Sequence, residues 1–349
     1  MINNVVLACL EKVGIMATFR LANPGLWDET LSRLDFIPVA YSQAELDYQL
    51  AYIQGGGIEC QDISLILYHD NRPCGIWPLY FALRNGQGEF GGGQFMLPPL
   101  FVGGVADKSK KSLTKKCLDL VEAMCKDLHI GKWQSAESYI GDVGLSDWHE
   151  QALQRGASVS LRHELFVDLA PDIANIKAKF RKRYKSLITE GMRVWKVDVL
   201  KDANPELWES FRMLHQKVAG RVTRSIETWD MQYQAIVSGH AFLVHLHNAE
   251  GELVGGGYFA VTRDQGVYNV GAYDRTLFAQ PLGHVVQYRA IEEMKARGLR
   301  WYKIGLRSYP QDDGVTEKDV TISEFKQGFA THLFPQFVLQ HSVESVSCG

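Results

Sequence analysis

Phe242-Leu243-Val244-His245-Leu246, Leu253-Val254-Gly255-Gly256-Gly257-Tyr258-Phe259-Ala260-Val261 and Val267-Tyr268-Asn269-Val270 are three apolar runs separated only by turn sequences. The first break is Asn248-Ala249-Glu250-Gly251 and the second Arg263-Asp264-Gln265-Gly266, both made of residues that favour chain reversal. The stretch therefore reads as a three-strand antiparallel meander. From about Gly283 to Arg297, Val286, Ala290, Ile291 and Met294 recur at helical spacing, and Gly298 suits the end of that helix. Trp301 to Ile304 follows as a returning strand, and two helical patterns, about Pro205–Val218 and Ile226–Val237, precede the meander.

The same order occurs earlier in the chain. Leu65–Tyr68, about Gly75–Leu83 and about Glu89–Phe95 read as strands, broken by turns at His69–Pro73 and Asn85–Gly88. A helix over about Ser109–Leu128 carries Leu113, Cys117, Leu120, Val121, Met124 and Leu128 on one face, and Lys132–Ser135 closes the unit. Placing His69 on His247 brings Tyr80-Phe81-Ala82 onto Tyr258-Phe259-Ala260 and Gln87-Gly88 onto Gln265-Gly266 without a gap. Shared order, spacing and turn positions point to an ancient duplication. Between the repeats, Leu165–Leu169 reads as a strand. A helix follows over about Asp172–Glu190, with Ile173, Ile176, Phe180, Tyr184, Leu187 and Ile188 inward and Gly191 as its C-terminal cap. The expected domains are residues 1–164 and 165–341, with a polar tail at 342–349.

Length and composition agree with two domains. The chain has 349 residues, 46% hydrophobic and 22% charged, with a formal net charge of −3, which excludes a basic nucleic-acid coat and an acidic disordered chain. No DNA partner is expected. No apolar run approaches the ~20 residues of a membrane span. Val5–Leu10 has no basic lead-in and meets Glu11 and Lys12 at once, so it does not read as a signal peptide, and the expected location is the cytoplasm. Cys9, Cys60, Cys74, Cys117, Cys125 and Cys348 form no CxxC pair and no compact framework.

A meander, a helix and a returning strand give a mixed sheet with helices packed on it. Two helices before the meander complete the order of the acyl-CoA-dependent N-acetyltransferase (GNAT) fold. The expected fold class is α/β (α+β), as two tandem GNAT-like domains, each an antiparallel-rich sheet flanked by helices. Gly255-Gly256-Gly257 inside a strand marks either a bulge, expected where an acyl donor lies, or a tightly packed sheet corner.

Four segments resemble the FemAB-like acyltransferases, which are tandem GNAT-fold proteins. They are Arg183-Tyr184-Lys185 before Gly191, Gly255-Gly256-Gly257-Tyr258, Tyr268-Asn269-Val270-Gly271-Ala272 and Phe325-Lys326-Gln327-Gly328-Phe329. The resemblance covers mainly Leu165–Leu339, about half the chain. It implies transfer of an acyl or aminoacyl group to an amine. Bacterial peptidoglycan members use aminoacyl-tRNA on a cell-wall precursor, and relatives serve polysaccharide and surface-glycan pathways. The implied acceptor is an amino sugar or a nucleotide-linked envelope precursor, and the co-substrate is acyl-CoA or aminoacyl-tRNA, with no metal. The competing class is a non-catalytic tandem GNAT-like binder.

The resemblance places Lys326 and Phe325 in the active site, Lys326 as a cation for the oxyanion formed on attack. The bland reading is a surface lysine between the core anchors Phe325 and Phe329. Tyr268 and Gly271 fall near the implied acceptor, Tyr268 as hydrogen-bond partner or proton relay, or else as a packed strand tyrosine. Gln280 and Gly283 keep part of the glycine-rich turn that binds a pyrophosphate at a helix start, but Val285 stands where that pattern has a small residue. The first half, with Ala106-Asp107-Lys108-Ser109, has no such turn. Lys177, Lys179, Arg181, Lys182, Arg183, Lys185, Arg193 and Lys196 make a basic segment, suited to phosphates or tRNA, or simply a solvated helix face. Arg221 and Arg224, between two helices, are placed to reach an acceptor. His284 near a helix start has a depressed pKa and general-base potential. His245 and His247 share a strand face without a third metal ligand in sight. No GxSxG, HExxH or Walker lysine loop is present.

Overall fold

The apolar periods set out above build the chain element by element, and the computed structural model describes residues 2–140 and 145–343. In order these are α1 (Ile2–Val13), β1 (Ala17–Phe19), α2 (Pro24–Ser32), α3 (Gln43–Gly55), β2 (Glu59–Asp62), β3 (Leu65–His69), β4 (Arg72–Trp77), β5 (Tyr80–Arg84), β6 (Gln87–Phe90) and β7 (Leu100–Phe101). Then come α4 (Asp107–Asp127), β8 (Lys132–Ser138), α5 (Asp147–Gln154), β9 (Ser158–Asp168), α6 (Ile173–Ala178), α7 (Lys182–Val194) and β10 (Lys196–Leu200). The remainder is α8 (Pro205–Ala219), α9 (Ile226–Val237), β11 (Ala241–His247), β12 (Leu253–Val261), β13 (Gln265–Tyr273), α10 (Leu282–Ala296), β14 (Trp301–Arg307), α11 (Glu317–Gln327) and β15 (His332–Ser342).

The chain forms two compact units. One ends at Arg162 and resumes at Pro335, and the other is His163–Phe334. Residues 335–341, expected with the second domain, and 342, expected in the tail, group with the first because their backbone pairs with β8, from Gln336 opposite Ser138 to Ser342 opposite Lys132. Residues 344–349 of the expected tail, Cys348 among them, lie outside the described residues.

In the second unit the strands run β10-β11-β12-β13-β14-β9, antiparallel except for β13 and β14. Helix α10 closes one face, where Val285, Val286, Ala290, Ile291 and Met294 are buried with Phe242, Phe259 and Ile304. On the other face Trp208 of α8 packs on Trp229 of α9 and on Tyr258 of β12, at 5.6 and 5.8 Å between ring centres. The parallel pair holds only from Gln265/Trp301 to Val267/Lys303. Beyond it the two strands part.

Three sequence readings change. The expected helix over Asp172–Glu190 is two helices, α6 and α7, and Gly191 is no cap. It sits inside α7, where an added Cβ would collide with Val285 and come within 2.9 Å of the Pro281 carbonyl. The bulge on β12 lies at the edge of Gly255–Gly257, where Val254 is an extra residue and the register with β11 slips between Leu246 and His247. The register slips opposite Tyr258/Phe259, where β13 carries Asn269 as the extra residue. In the first unit the expected strand Gly75–Leu83 breaks at Pro78. β4 joins the sheet β1-β3-β4-β7, while β5 joins β2-β5-β6, so the repeat keeps its element order but not a continuous meander sheet.

Candidate active site

The gap between β13 and β14 begins at Tyr268, the first residue past their last pair. Its ring stacks on Phe259 at 5.2 Å, and its hydroxyl meets that of Tyr273 at 3.2 Å. Gly271 is needed beside them, since any Cβ there would collide with the Tyr268 hydroxyl. The Tyr302 hydroxyl donates to Gln287 Oε1 of α10, and the Gln287 amide nitrogen is buried without a hydrogen-bond partner among the described residues. Burial raises the pKa of Tyr268, Tyr273 and Tyr302. All three are neutral phenols at physiological pH.

Across the gap, the register of β14 slips between Lys303 and Gly305. Gly305 has φ +149°, a conformation that side chains rarely adopt, and the space its Cβ would fill is 2.8 Å from Lys326 Nζ. The same ammonium lies 5.4 Å from the centre of the Tyr268 ring, within cation–π range. Burial lowers the Lys326 pKa, and no carboxylate counters it. The lysine thus points into the parting strands rather than into solvent.

Helix α11 delivers it there. Thr316 and Asp319 start the helix with a reciprocal capping box. Arg307 of β14 ties it down, donating to the Ser308 carbonyl, to Ser323 Oγ at 2.9 Å and to Glu324 Oε1 at 3.3 Å. At the other end the Tyr184 hydroxyl donates to the Phe325 carbonyl at 3.1 Å. Gly328 has to be a glycine because a Cβ would run into the Tyr184 ring. The Phe-Lys-x-Gly-Phe stretch is therefore a fitted joint between α7 and α11, with the lysine at its inner edge.

His284 fills the middle of this joint, 4.5, 5.1 and 6.1 Å from the rings of Tyr184, Phe325 and Phe329. Burial first, then Arg183 and Arg181, push its pKa down to about 4. The expected depression is present, but its main source is burial rather than the helix start, and so low a value makes the neutral imidazole a weak base. Gly283 lies against Phe325 and Tyr273, 3.0 and 3.7 Å from where a Cβ would stand.

The other candidates scatter. Gly255, Gly256 and Gly257 are buried. Their Cβ positions lie 2.9 Å from Tyr273, 3.1 Å from Phe211 and 2.8 Å from Val286 respectively. They let helices close on both faces of β12 and present no surface to a donor. Val285 is fully buried against α7, so it does not line an open phosphate path. Gln280 and Arg183 are exposed, Arg183 beside His284. Arg221 is exposed. Arg224 lies 3.7 Å over the Trp229 ring and donates to Gln232 Oε1 at 2.7 Å. Arg224 also lines a cavity of about 350 Å³ with His215, Val222, Ile226 and Trp229. His245 and His247 face each other at 3.4 Å, and no group of three metal-binding side chains occurs among the described residues. Tyr273, Gln287, Gly305 and Arg307 were not singled out from sequence, and Tyr184 only as a helix-face residue within the Arg183-Tyr184-Lys185 motif. Only Gly305, a glycine following an apolar strand, left a local signal.

FemX has a TM-score of 0.69 at 13% identity, over 90% of this chain and 95% of that one. The chain has the FemAB-like tandem GNAT fold. Within it, residues 174–313 match the acetyltransferase (GNAT) domain family. L-PGS from Bacillus licheniformis shares the fold at a TM-score of 0.59 and 12% identity, over 93% of each chain. So does the C-terminal domain of a putative lysylphosphatidylglycerol synthetase from Agrobacterium fabrum, at 0.60 and 11%, over 92% of each. No curated protein matches the chain. No helix among the described residues is long and apolar enough to cross a membrane.

Proposed function

We propose that the chain is an amide-forming N-acyl or aminoacyl transferase of the GNAT type, with its reaction centre between β13 and β14. The observation that carries this reading is the Lys326 ammonium, which has no carboxylate partner and lies over Tyr268 and against Gly305. An acyl carbonyl seated in the gap would meet that cation as the amine attacks and negative charge gathers on oxygen. A preorganised charge in a poorly hydrated site stabilises the transition state more than the ground state. The amine then loses a proton, the tetrahedral centre collapses, and the carrier leaves with its electron pair. Tyr268, hydrogen-bonded to Tyr273, holds the lysine by its ring face. Phe325 and Gly283 bound the donor's path, and Arg181 and Arg183, exposed beside His284, suit its phosphates.

Acyl-CoA and aminoacyl-tRNA both fit this chemistry, with a cytoplasmic amino sugar or nucleotide-linked envelope precursor as acceptor. Arg224 borders the cavity between α8 and α9 and, with the exposed Arg221, suits the acceptor's anionic part. Val285, whose bulk in place of a small residue favours the alternative of a binder without a donor site, packs against α7 and does not line the donor's path. The test incubates the protein with CoA thioesters or aminoacyl-tRNA and amine acceptors, and reads amide product by mass spectrometry. The expected outcome is an amide whose formation needs Lys326. Absence of product from every donor, with no thermal stabilisation by any of them, would overturn the reading. A ligand at 100 times its Kd stabilises by ~2.7 kcal/mol.

A further inference from the structure

Strand β10 is the outermost of the order β10-β11-β12-β13-β14-β9, and its backbone pairs with β11, from Lys196 opposite His247 to Leu200 opposite Leu243. Alternate residues of such a strand turn their N–H and C=O groups away from the sheet, where a further strand can bond to them. Val197 and Val199 are partly buried on the face that packs on the core under α10. Lys196 and Asp198 alternate with them on the opposite face and are exposed. Within the chain their charges lie 3.9 Å apart. An exposed pair of this kind contributes little, so either partner is readily drawn to another charge.

Edge strands are commonly blunted by a lysine. Here the lysine is matched by an aspartate two residues on, and that decides which strand the edge admits. Two copies of one strand related by a twofold axis run antiparallel, and residues directly opposite each other point to the same face. The axis must therefore pass at a single residue. At Lys196 it would set two ammonium groups against each other, and at Asp198 two carboxylates. At Val197 it sets Lys196 of each copy opposite Asp198 of the other, twice by symmetry, and the two Val197 side chains meet on the apolar face. The charges select that register and repel its neighbours. β10 has five residues, and such a strand paired alone buries less than a stable dimer needs. One residue separates it from α7, whose last turn exposes Met192 by 43% and Val194 by 45%. Chain continuity places this apolar area at the start of the edge.

We infer that β10 is an interface between two copies of this chain, joined edge to edge as antiparallel strands centred on Val197. β11 and β12 separate it from the reaction centre at β13, so this inference and the transferase reading fail separately. The test is sedimentation velocity of the full chain from about 5 to 500 µM, a range suited to an interface of this size. The unaltered chain should pass from monomer to dimer. Lys196→Glu puts a carboxylate opposite the partner's Asp198, and Asp198→Lys puts an ammonium opposite the partner's Lys196. Each should weaken the dimer ~10-fold or more. Both side chains are exposed, so circular dichroism should show an unchanged fold. An equal mixture of the two variants restores both opposite-charge pairs and should dimerise as the unaltered chain does. A monomer at the highest concentration would overturn the inference. So would a single variant that dimerises as well as the unaltered chain, or a mixture that dimerises no better than its components.

Discussion

Trp77-Pro78-Leu79 in the first unit and Gly255-Gly256-Gly257 in the second occupy the same place in the repeat, once His69 is set on His247. In the first, the chain turns out of one sheet into another at Pro78. Trp77 is 0% and Leu79 1% exposed, both in the core. In the second, three residues without side chains let β12 run unbroken for nine residues while Phe211 and Val286 close on its two faces. Bulk and a fixed φ break the meander in one unit, and their absence preserves it in the other. Only the unbroken sheet carries β13 and β14 side by side to a common parting point, where Lys326 enters. The broken one leaves β6 and β8 in different sheets.

The largest expected effect probes what the unbroken sheet supports. Lys326→Met deletes the charge and keeps the stem. It should lower turnover ~10²–10³-fold with little change in substrate binding. Lys326→Arg should be impaired too, because a planar guanidinium replaces a compact ammonium. Unchanged turnover in the Met variant would make Lys326 a packing residue and leave the two units alike in lacking chemistry.

Exchanging residues between the repeats comes next. Gly257→Leu, which imports the first unit's bulk, meets Val286 where a Cβ alone would already be 2.8 Å away. Urea unfolding should show a loss of about 3 kcal/mol. A tolerated leucine would mean that the glycines are not what holds β12 between its helices.

Acid should separate the units by a similar or smaller amount. Burial lowers His245 and His284 from 6.5 to about 4 in the second unit. A histidine whose folded pKa lies below its unfolded value takes up its proton more readily on unfolding. Its neutral burial therefore costs nothing above pH 6.5 and progressively more as pH falls towards 4, by roughly 3 kcal/mol at most for each. In the first unit His149 is lowered but Glu137 is raised, and their effects on acid stability oppose each other. Hydrogen exchange at pH 5 should loosen β11 and α10 before β3 and α4. His284→Gln should flatten that acid limb, and equal loosening of both units would break the contrast.

Tyr268→Phe removes only the hydroxyl shared with Tyr273. Stability should fall by about 1 kcal/mol and turnover should change only a few-fold, since the ring face under Lys326 remains. A large loss of turnover with unchanged folding would instead make Tyr268 a proton relay. The smallest effect belongs to Pro78→Gly, about 0.4–1 kcal/mol through the freer unfolded chain. A larger loss would mean that the proline actively directs β5 into its separate sheet.

Local periodicity in the sequence was enough to set the meander Phe242–Val270, the helix behind it, the two helices before it and the order repeated from Leu65. Those elements are written in which side chains recur on one face, and a single strand or helix needs no distant partner to show it. The resemblance at Phe325-Lys326 pointed to the lysine, but not to its place over Tyr268 or against Gly305, because strands of different sheet neighbours supply those contacts. Gly255–Gly257 left open a donor-side bulge or a tightly packed sheet, and Phe211 and Val286, filling both sides, favour the packing. Gly191 read as a cap until Val285 was seen against it. Where two parallel strands stop pairing, and which side chain fills the opening, depends on bulk arriving from elements far apart in the chain. That is decided only when the sheet and its helices pack together.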